Sequence, residues 1–325
     1  MERRTFLGAS AAVLAAATYP TLLKGQSAMN GRLISGMPAG VVGDRLAGGM
    51  LDILHNQFDT HYTLEVIESR ETRDASAKVK SAPPDGTTLL QSHSGPLVLF
   101  PATYRTLDYD PLDDFTPIAL MGDYSFALAV GPAVPASITD INGYLGWVKE
   151  NPDYRDIGFS VYGSQAHLAS LMLTRSKEVA LRPQSYRTVP SMANDMGNET
   201  LAAGVTMTGN LALLREKQLR PIAVTTKSRL AAWPNVATFA EQGVPDMDLG
   251  GWFGWFAPAN MAPATSQMLA ERIAAAQATD AYAALQRQLM LTQVTLPPDQ
   301  IRERISQEMS TYARIVSTYG LSRMT

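Results

Sequence analysis

The chain has 325 residues, more than a single hydrophobic core usually supports, so two domains are expected. Its formal net charge is -3 with no long run of one sign, which argues against a nucleic-acid partner. Cysteine is absent, which excludes disulfides, thiolate metal sites and cysteine nucleophiles. The four histidines lack the spacing of a metal site, and no cofactor motif occurs, so the sequence predicts neither a metal nor a cofactor.

The N-terminus is typical of an export signal. Arg3 and Arg4 precede a run of small and apolar residues from Gly8 to Ala17, which is too short to anchor the protein in a bilayer. We therefore interpret residues 1–28 as a cleaved signal and expect the protein in the periplasm. Both the twin-arginine and the Sec route remain open.

The first structured segment predicts an anion site. An apolar run at Leu33 and Ile34 passes through the loop 35–44, which is rich in glycine and contains a proline, into a helix beginning near Val42. Such a turn leaves backbone N–H groups unpaired at a helix N-terminus, where the helix dipole favours negative charge. This first loop is therefore suited to holding an anion.

The next elements alternate as in an α/β domain. The pattern predicts a strand at 62–67, a helix at 75–81, a turn at 82–86 and a strand at 87–90 that ends in the polar loop 91–96. In open α/β sheets, ligands lie at the loops after the strand C-termini. Ser92 and Ser94 in this loop are therefore candidate ligand contacts.

A second loop of the same kind follows in the middle of the chain. Strands are predicted at 116–120 and 126–130, with a crossing into a second domain nearby, and then a helix at 138–151. The strand at 157–161 leads through Gly163 and Ser164 into a helix that carries His167. Because the chain has two such loops, one in each half of the sequence, we predict a cleft that binds a small anion from both sides.

The rest of the chain completes the second domain and returns to the first. The patterns predict a strand end at 186–188, a helix at 191–197, strands at 204–208 and 220–225, a returning strand at 252–257, and helices at 263–276, 281–290 and 299–319. We predict that domain 1 consists of residues 29–127 and 250–325, and domain 2 of residues 128–249.

Seven segments, in this order, resemble the extracytoplasmic solute receptors of tripartite tricarboxylate transporters, often called Bug receptors. They are Met37-Pro38-Ala39-Gly40 with Asp44, Ala82 to Leu90, Tyr109 to Leu120, Gly163-Ser164 with His167-Leu168-Ala169, Leu219 to Thr225, Trp233 to Gly243, and Trp252-Phe253-Gly254 to Pro258. The resemblance implies an α/β fold of the periplasmic binding protein type II clamshell class, with two α/β domains joined by a two-strand hinge. It also implies a carboxylate held by backbone amides of both loops.

The chain departs from the family pattern around both loops. Val41 stands where the family has a second glycine, and residues 69–75 replace a glycine-rich stretch. Arg187 stands in a Tyr-Arg-Thr sequence where the family has Tyr-Lys-Gly. Around Thr208 the family's acidic residues are missing, which disfavours an amino-acid ligand.

The predicted ligand contacts combine both loops with their neighbours. They are Met37, Ala39, Gly40, Val41, Ser92, Ser94, Gly163, Ser164, Gln165, His167, Arg187 and Thr208. Structural roles compete at several positions: the glycines permit tight turns, the serines cap helices, and His167 can lock its own loop.

The leading hypothesis is a monomeric binding protein, without catalytic residues, that delivers a small organic acid to membrane permease subunits. A sensing subunit for a membrane signalling partner is an alternative with the same ligand chemistry. An exported Ser/His hydrolase is disfavoured because the sequence has no Gly-x-Ser-x-Gly motif.

Overall fold

The computed structural model describes residues 29–68 and 72–324, so the predicted export signal at 1–28 lies outside it. The strands are β1 Met29–Ser35, β2 Thr60–Val66, β3 Thr88–His93, β4 Phe115–Val130, β5 Asp156–Ser160, β6 Arg182–Tyr186, β7 Ala203–Met207, β8 Arg220–Val224 and β9 Gly250–Pro258. The helices are α1 Val42–Phe58, α2 Arg73–Lys80, α3 Phe100–Thr103, α4 Ile141–Glu150, α5 Gln165–Lys177, α6 Val189–Gly197, α7 Thr208–Leu213, α8 Pro263–Gln277, α9 Asp280–Gln288 and α10 Pro298–Thr318.

The strands form one continuous mixed sheet in the order β2-β1-β3-β9-β4-β7-β5-β6, with β8 also paired to β4. Strand β1 is parallel to β2 and β3, and β5 is parallel to β6 and β7. In each of these two parallel groups, the chain leaves the C-terminus of a strand and enters a helix. This arrangement places the loops that bind ligands along one edge of the sheet.

Strand β4 connects the two groups and corrects one prediction. The sequence indicated separate strands at 116–120 and 126–130, whereas β4 is a single strand of 16 residues. Gly122, with a φ of 134°, lies where the register with β9 shifts, so the chain bulges there instead of breaking. Residues 115–125 of β4 pair with β9, and residues 126–130 pair with β7 and β8.

We call β1, β2, β3, β9 and residues 115–125 of β4 lobe 1, and β5 to β8 with residues 126–130 lobe 2. The chain passes between the lobes within β4 and again just before β9. Thr225, which is 1% exposed, links both crossings: its hydroxyl accepts the Phe126 N–H and donates to the Leu249 carbonyl. One buried side chain therefore fixes the two crossing segments side by side.

The core consists of a large cluster with residues from both lobes and a smaller cluster in lobe 2 that contains Ala127, Met192 and Val224. Helix α1 begins at Val42, as predicted, and Leu46, Ala47 and Met50 are fully buried on its inner face. The aromatic side chains of β9, Trp252, Phe253, Trp255 and Phe256, are also buried. None of the helices in the described ranges is both long and apolar enough to cross a membrane.

Two further local predictions are corrected. The polar loop expected at 91–96 is occupied by the end of β3 and by a π-helical segment, Gly95–Leu99. The strand expected at 204–208 ends at Met207, because Thr208 starts the short helix α7.

Replacing Thr225 with Val tests the link between the crossings. The change keeps the shape of the side chain but leaves the buried Phe126 N–H and Leu249 carbonyl without this hydroxyl, so the free energy of unfolding should fall by about 1–3 kcal/mol. Chemical denaturation measures this loss. The control is Thr226→Val, whose hydroxyl bonds only the nearby Ser228 carbonyl and which should change stability by less than about 0.5 kcal/mol. Equal effects at both positions would contradict the role of Thr225.

Candidate ligand-binding site

A cavity of about 550 Å³ lies between the lobes, at the C-terminal ends of the parallel strands. Loops after β1, β2, β3, β5, β6 and β7 contribute to it, and Phe126 and Phe253 form part of its apolar wall. Its lining residues are Gly36, Met37, Pro38, Val41, Val42, Gly43, Glu68, Thr72, Arg73, His93, Phe126, Ser160, Val161, Ser164, Gln165, Ala166, Ser185, Tyr186, Arg187, Thr188, Val189, Thr206, Met207, Asn210 and Phe253.

The first loop brings the N-terminus of α1 to the cavity. Gly40 takes a φ of 82°, which only glycine adopts readily, and its N–H donates to the Asp44 carboxylate at 2.8 Å. Asp44 therefore shapes the loop from within. The N-cap residue Val41 makes no side-chain capping bond, so the first turn of α1 depends on partners from elsewhere.

One of those partners comes from lobe 2. The Asn210 side-chain oxygen accepts the Val42 N–H at 3.1 Å, and the Asn210 amide nitrogen donates to the Thr206 hydroxyl at 3.2 Å. Asn210 is 4% exposed and lines the cavity. It thus joins the α1 N-terminus to α7 across the gap between the lobes.

Buried Gln91 supports the first loop from below. Its amide nitrogen donates to the Gly43 carbonyl at 2.7 Å, and its oxygen accepts the Trp255 indole N–H at 3.0 Å. The first turn of α1 is thereby tied to β3 and β9, which keeps its free N–H groups in a fixed position.

The second loop presents the N-terminus of α5 from lobe 2. Ser164 is its N-cap: the hydroxyl accepts the His167 N–H at 3.3 Å and donates to the Ser160 carbonyl at 3.0 Å. Gly163 has a φ of 77°, and its N–H donates to His167 Nδ1 at 3.2 Å. These bonds close the loop on itself, and Gln165 and Ala166 in the first turn of α5 line the cavity.

His167 makes its hydrogen bond and its ring contacts within this part of the chain. It is 3% exposed, and its ring stacks on Phe159 with centroids 4.4 Å apart. Burial lowers the pKa of His167 to about 4, so the ring is neutral at neutral pH and its Nδ1 is free to accept the Gly163 N–H.

A third helix N-terminus, that of α6, also points to the cavity. Thr188 and Ser191 form a capping box that bonds two of its first backbone N–H groups. Position 190 is proline, which has no N–H. Val189 lines the cavity, and its N–H is not used by these caps.

His93 offers a neutral donor from the end of β3. Its Nδ1 accepts the Gly95 N–H at 3.2 Å, so in the neutral ring the proton lies on Nε2. Burial lowers the pKa of His93 to about 4, which keeps the ring neutral at neutral pH. A lining histidine with a protonated Nε2 can donate a hydrogen bond to an acidic ligand.

The charged lining residues favour an anion. Arg187 is exposed at the cavity and forms no ion pair or hydrogen bond with any residue in the described ranges. Arg73 lies over the Tyr104 ring, 4.0 Å from its centroid. Glu68 is the acidic lining residue and is exposed. The charged side chains of the lining therefore carry two positive charges and one negative charge.

The two loops also meet through Gln165. Its amide nitrogen donates to the Ser94 hydroxyl at 3.1 Å, and Ser94 is within 3.1 Å of the Tyr124 hydroxyl. This is a second polar bridge between lobe 2 and lobe 1.

The serines beside His93 do not form a catalytic pair with it. The Ser92 hydroxyl donates to the His93 backbone carbonyl at 2.9 Å, and the Ser94 hydroxyl is taken up by Gln165 and Tyr124. The His93 ring instead bonds the Gly95 N–H. This geometry does not support the hydrolase alternative.

The structure separates the predicted contacts into two groups. Those that line the cavity are Met37, Val41, Ser164, Gln165 and Arg187; those outside its lining are Ala39, Gly40, Ser92, Ser94, Gly163, His167 and Thr208. Most members of the second group hold the walls in place: both glycines make the turns, and fully buried Thr208 lies 3.3 Å from the Ser125 hydroxyl. Ala39 is exposed on the outside of its loop.

Several lining residues were missed by the sequence analysis. His93 and Tyr186 are the last residues of β3 and β6, whereas Asn210 follows β7 and the pair Thr72 and Arg73 follows β2. Applying the rule of strand C-termini to β2, β6 and β7 finds all of these except His93, which lies between the two serines already chosen at the end of β3. Phe126 and Phe253 carry no such signal, because they lie inside strands.

A family model and several known proteins match the chain. The model of the tripartite tricarboxylate transporter family receptor matches residues 72–321. The chain belongs to this receptor family. This confirms the resemblance noted in the sequence, and it confirms that the protein is a solute-binding receptor and not an enzyme.

Individual relatives of the receptor are distant. BugT of Bordetella pertussis strain Tohama I is 27% identical over 245 residues, which cover 75% of the receptor and 74% of BugT. Rpa4515 of R. palustris, solved with adipate, has a TM-score of 0.84 at 22% identity, covering 91% of the receptor and 99% of Rpa4515. The periplasmic binding protein BugD has a TM-score of 0.82 at 20% identity, covering 92% and 100%. These structures confirm the predicted fold class.

The two histidines with a lowered pKa, His93 and His167, predict a loss of receptor stability in acid. Their pKa is about 4 in the folded state and about 6.5 in an unfolded chain, so the unfolded state binds more protons between these values. The free energy of unfolding should therefore fall as the pH is lowered from 6.5 to 4, with His167 contributing up to roughly 3 kcal/mol.

Urea denaturation at pH 7 and pH 4.5 measures this dependence. His167→Asn keeps an acceptor for the Gly163 N–H but cannot titrate, so it should lose part of the pH dependence that the wild type shows. An unchanged pH dependence in His167→Asn would show that His167 is not responsible.

Proposed function

We propose that the receptor acts as a monomer in the periplasm, captures a small organic acid between its lobes, and presents it to the membrane subunits of a tripartite tricarboxylate-type transporter. The observation that carries this proposal is the convergence of three helix N-termini, from α1, α5 and α6, on one cavity. Delivery to a transporter is supported by membership of the receptor family.

The electrostatics of the cavity favour a carboxylate. Each helix N-terminus carries partial positive charge and N–H donors, and the effect is strongest within the first turn. His93 Nε2 and the Arg187 guanidinium add donors from two further loops. Phe126, Phe253 and Met207 provide an apolar wall, so an acid with a hydrocarbon body suits the cavity better than an inorganic anion.

The predicted domains account for how the ligand is enclosed. We propose that the lobes, with boundaries near residues 127 and 250, move about the two crossings that Thr225 links. The Asn210 and Gln165 bridges then form on closure, since each joins a residue of lobe 2 to one of lobe 1. The residues predicted to bind through the two loops would contact or frame the ligand in this closed state.

The capture of an organic acid is tested by thermal shift of the purified receptor against adipate and other C4 to C6 dicarboxylates, tricarboxylates, aromatic acids and amino acids. A ligand at a hundred times its Kd should stabilise the protein by about 2.7 kcal/mol. Unfolding the protein in denaturant and refolding it before the assay removes any ligand carried over from the cell. Stabilisation by amino acids alone, or by no acid at all, would refute the proposal.

Arg187→Gln should weaken binding of the acid found in this screen by about tenfold or more, because a charge-assisted hydrogen bond is lost. Isothermal titration calorimetry measures the Kd. Arg155→Gln removes the same charge from an exposed position of lobe 2 outside the cavity lining and should leave the Kd unchanged. Similar losses in both variants would indicate a general charge effect instead of a contact.

Asn210→Ala should shift the ligand-free receptor towards more open conformations, because it removes the bond between α7 and the Val42 N–H. Small-angle X-ray scattering should then give a larger radius of gyration than for the wild type. Asn198→Ala, at an exposed position outside the cavity, serves as the control. Identical scattering from Asn210→Ala and the wild type would argue against a bridging role.

A further inference from the structure

The segment at the end of α10 runs back to lobe 1. Residues 318–324, which we call the latch segment, begin at the last residue of α10 and reach α3. The Met324 N–H donates to the Thr103 carbonyl at 2.7 Å, and the Arg105 N–H donates to the Met324 carbonyl at 2.9 Å. Arg323 adds a bond from its guanidinium to an α3 carbonyl at 3.2 Å. The far end of the latch segment is therefore fastened to lobe 1.

Helix α10, from which the latch segment starts, is also attached to lobe 1. The Tyr312 hydroxyl donates to the Gly250 carbonyl at 3.1 Å, and the Glu308 carboxylate accepts the Trp252 indole N–H at 3.0 Å. Both partners lie in β9, the strand at the centre of lobe 1. The latch segment is thus held by lobe 1 at both of its ends.

The same segment contacts lobe 2 through Arg175. This residue lies in the last turn of α5, and its guanidinium donates to the Thr318 carbonyl at 3.1 Å and lies 5.1 Å from the centre of the Tyr319 ring. Thr318 is the last residue of α10, where carbonyl groups have no partner within the helix and carry partial negative charge. A guanidinium is a suitable partner for such a carbonyl because it supplies both positive charge and N–H donors.

A second contact with lobe 2 lies on the second ligand loop. Gly163 is buried, and a Cβ added to it would come within 2.5 Å of Met324 Cε and 3.4 Å of the Thr103 hydroxyl. The Met324 side chain therefore packs against the loop that positions the N-terminus of α5. This contact is beside the cavity, since the Tyr104 ring next to Thr103 lies 4.0 Å from the guanidinium of the lining residue Arg73.

We propose that residues 318–324 act as a latch across the lobes, which favours the closed receptor and slows its opening. This inference rests on the lobe movement in the proposed function. The latch segment is fixed to lobe 1, so separation of the lobes removes Arg175 from Thr318 and Gly163 from Met324. Arg175 is exposed, and one hydrogen bond of this kind contributes little free energy. The latch therefore shifts the balance between open and closed receptor without preventing opening.

Arg175→Gln in the ligand-free receptor tests the latch. The Val42 N–H reports opening, because it donates to Asn210 across the gap between the lobes and neither residue bonds Arg175. We expect hydrogen exchange at Val42, measured by NMR, to become about twofold to tenfold faster, which is the effect of losing one hydrogen bond on the ratio of open to closed receptor. Met324→Ala keeps the backbone bonds of position 324 and should act in the same direction.

Arg314→Gln is the matched control. It removes the same charge from an exposed position of α10, where the guanidinium bonds the Thr311 hydroxyl of the same helix at 3.4 Å. Exchange at Val42 should stay as in the wild type, because no bond between the lobes is lost.

The outcomes separate the latch from the lobe movement. A wild type in which Val42 exchanges no faster than the central amides of β9 does not open its lobes, and this overturns the movement and the latch together. Faster exchange at Val42 that neither Arg175→Gln nor Met324→Ala changes overturns the latch alone. An equal acceleration in Arg314→Gln, or an equal acceleration of the β9 amides, indicates a general loss of stability and also overturns the latch.

Discussion

The site depends on one constraint: a helix N-terminus has backbone N–H groups that its own helix cannot pair. The parallel strands of both lobes end along the same edge, so α1, α5 and α6 aim these groups at a shared cavity. Protein side chains satisfy some of them, as Thr188 does for α6 and Asn210 for Val42. The remaining donors require water or a ligand, and their partial positive charge makes an acid the suitable occupant.

Each lobe holds its backbone N–H donors in a fixed position, whereas few chain segments connect the two lobes. Gln91 ties the first turn of α1 to Trp255, and the Ser164 and His167 bonds close the second loop on itself. Between the lobes, by contrast, the chain crosses only at β4 and before β9 among the described residues, joined through Thr225. Each half of the site is therefore preorganised, and relative movement is concentrated at the crossings.

Two side-chain hydrogen bonds between the lobes, from Asn210 and Gln165, are the interactions that would hold the lobes together in a closed state. Asn210 uses its oxygen on the α1 N-terminus and its nitrogen on Thr206, so it bonds across the gap without leaving an unpaired amide. Gln165 reaches the Ser94 hydroxyl, which belongs to a further contact with Tyr124. A neutral amide at position 210 adds no negative charge to the N-terminus of α1, where Asp44 is the acidic residue of the first turn.

The sequence by itself determined the family, the fold class, the two glycine-containing loops and the buried aromatic strand β9, because these depend on local turn chemistry and on periodic apolar patterns. The roles of Gly40, Asp44 and His167 were also accessible, since their partners lie within four residues. Only the tertiary structure decided which donors face the ligand. Val42 and Asn210 are 168 residues apart, and Ser94 and Gln165 are 71 apart, so no local pattern predicts those bonds. The single long strand β4 likewise follows from pairing with distant strands, which residue spacing does not encode.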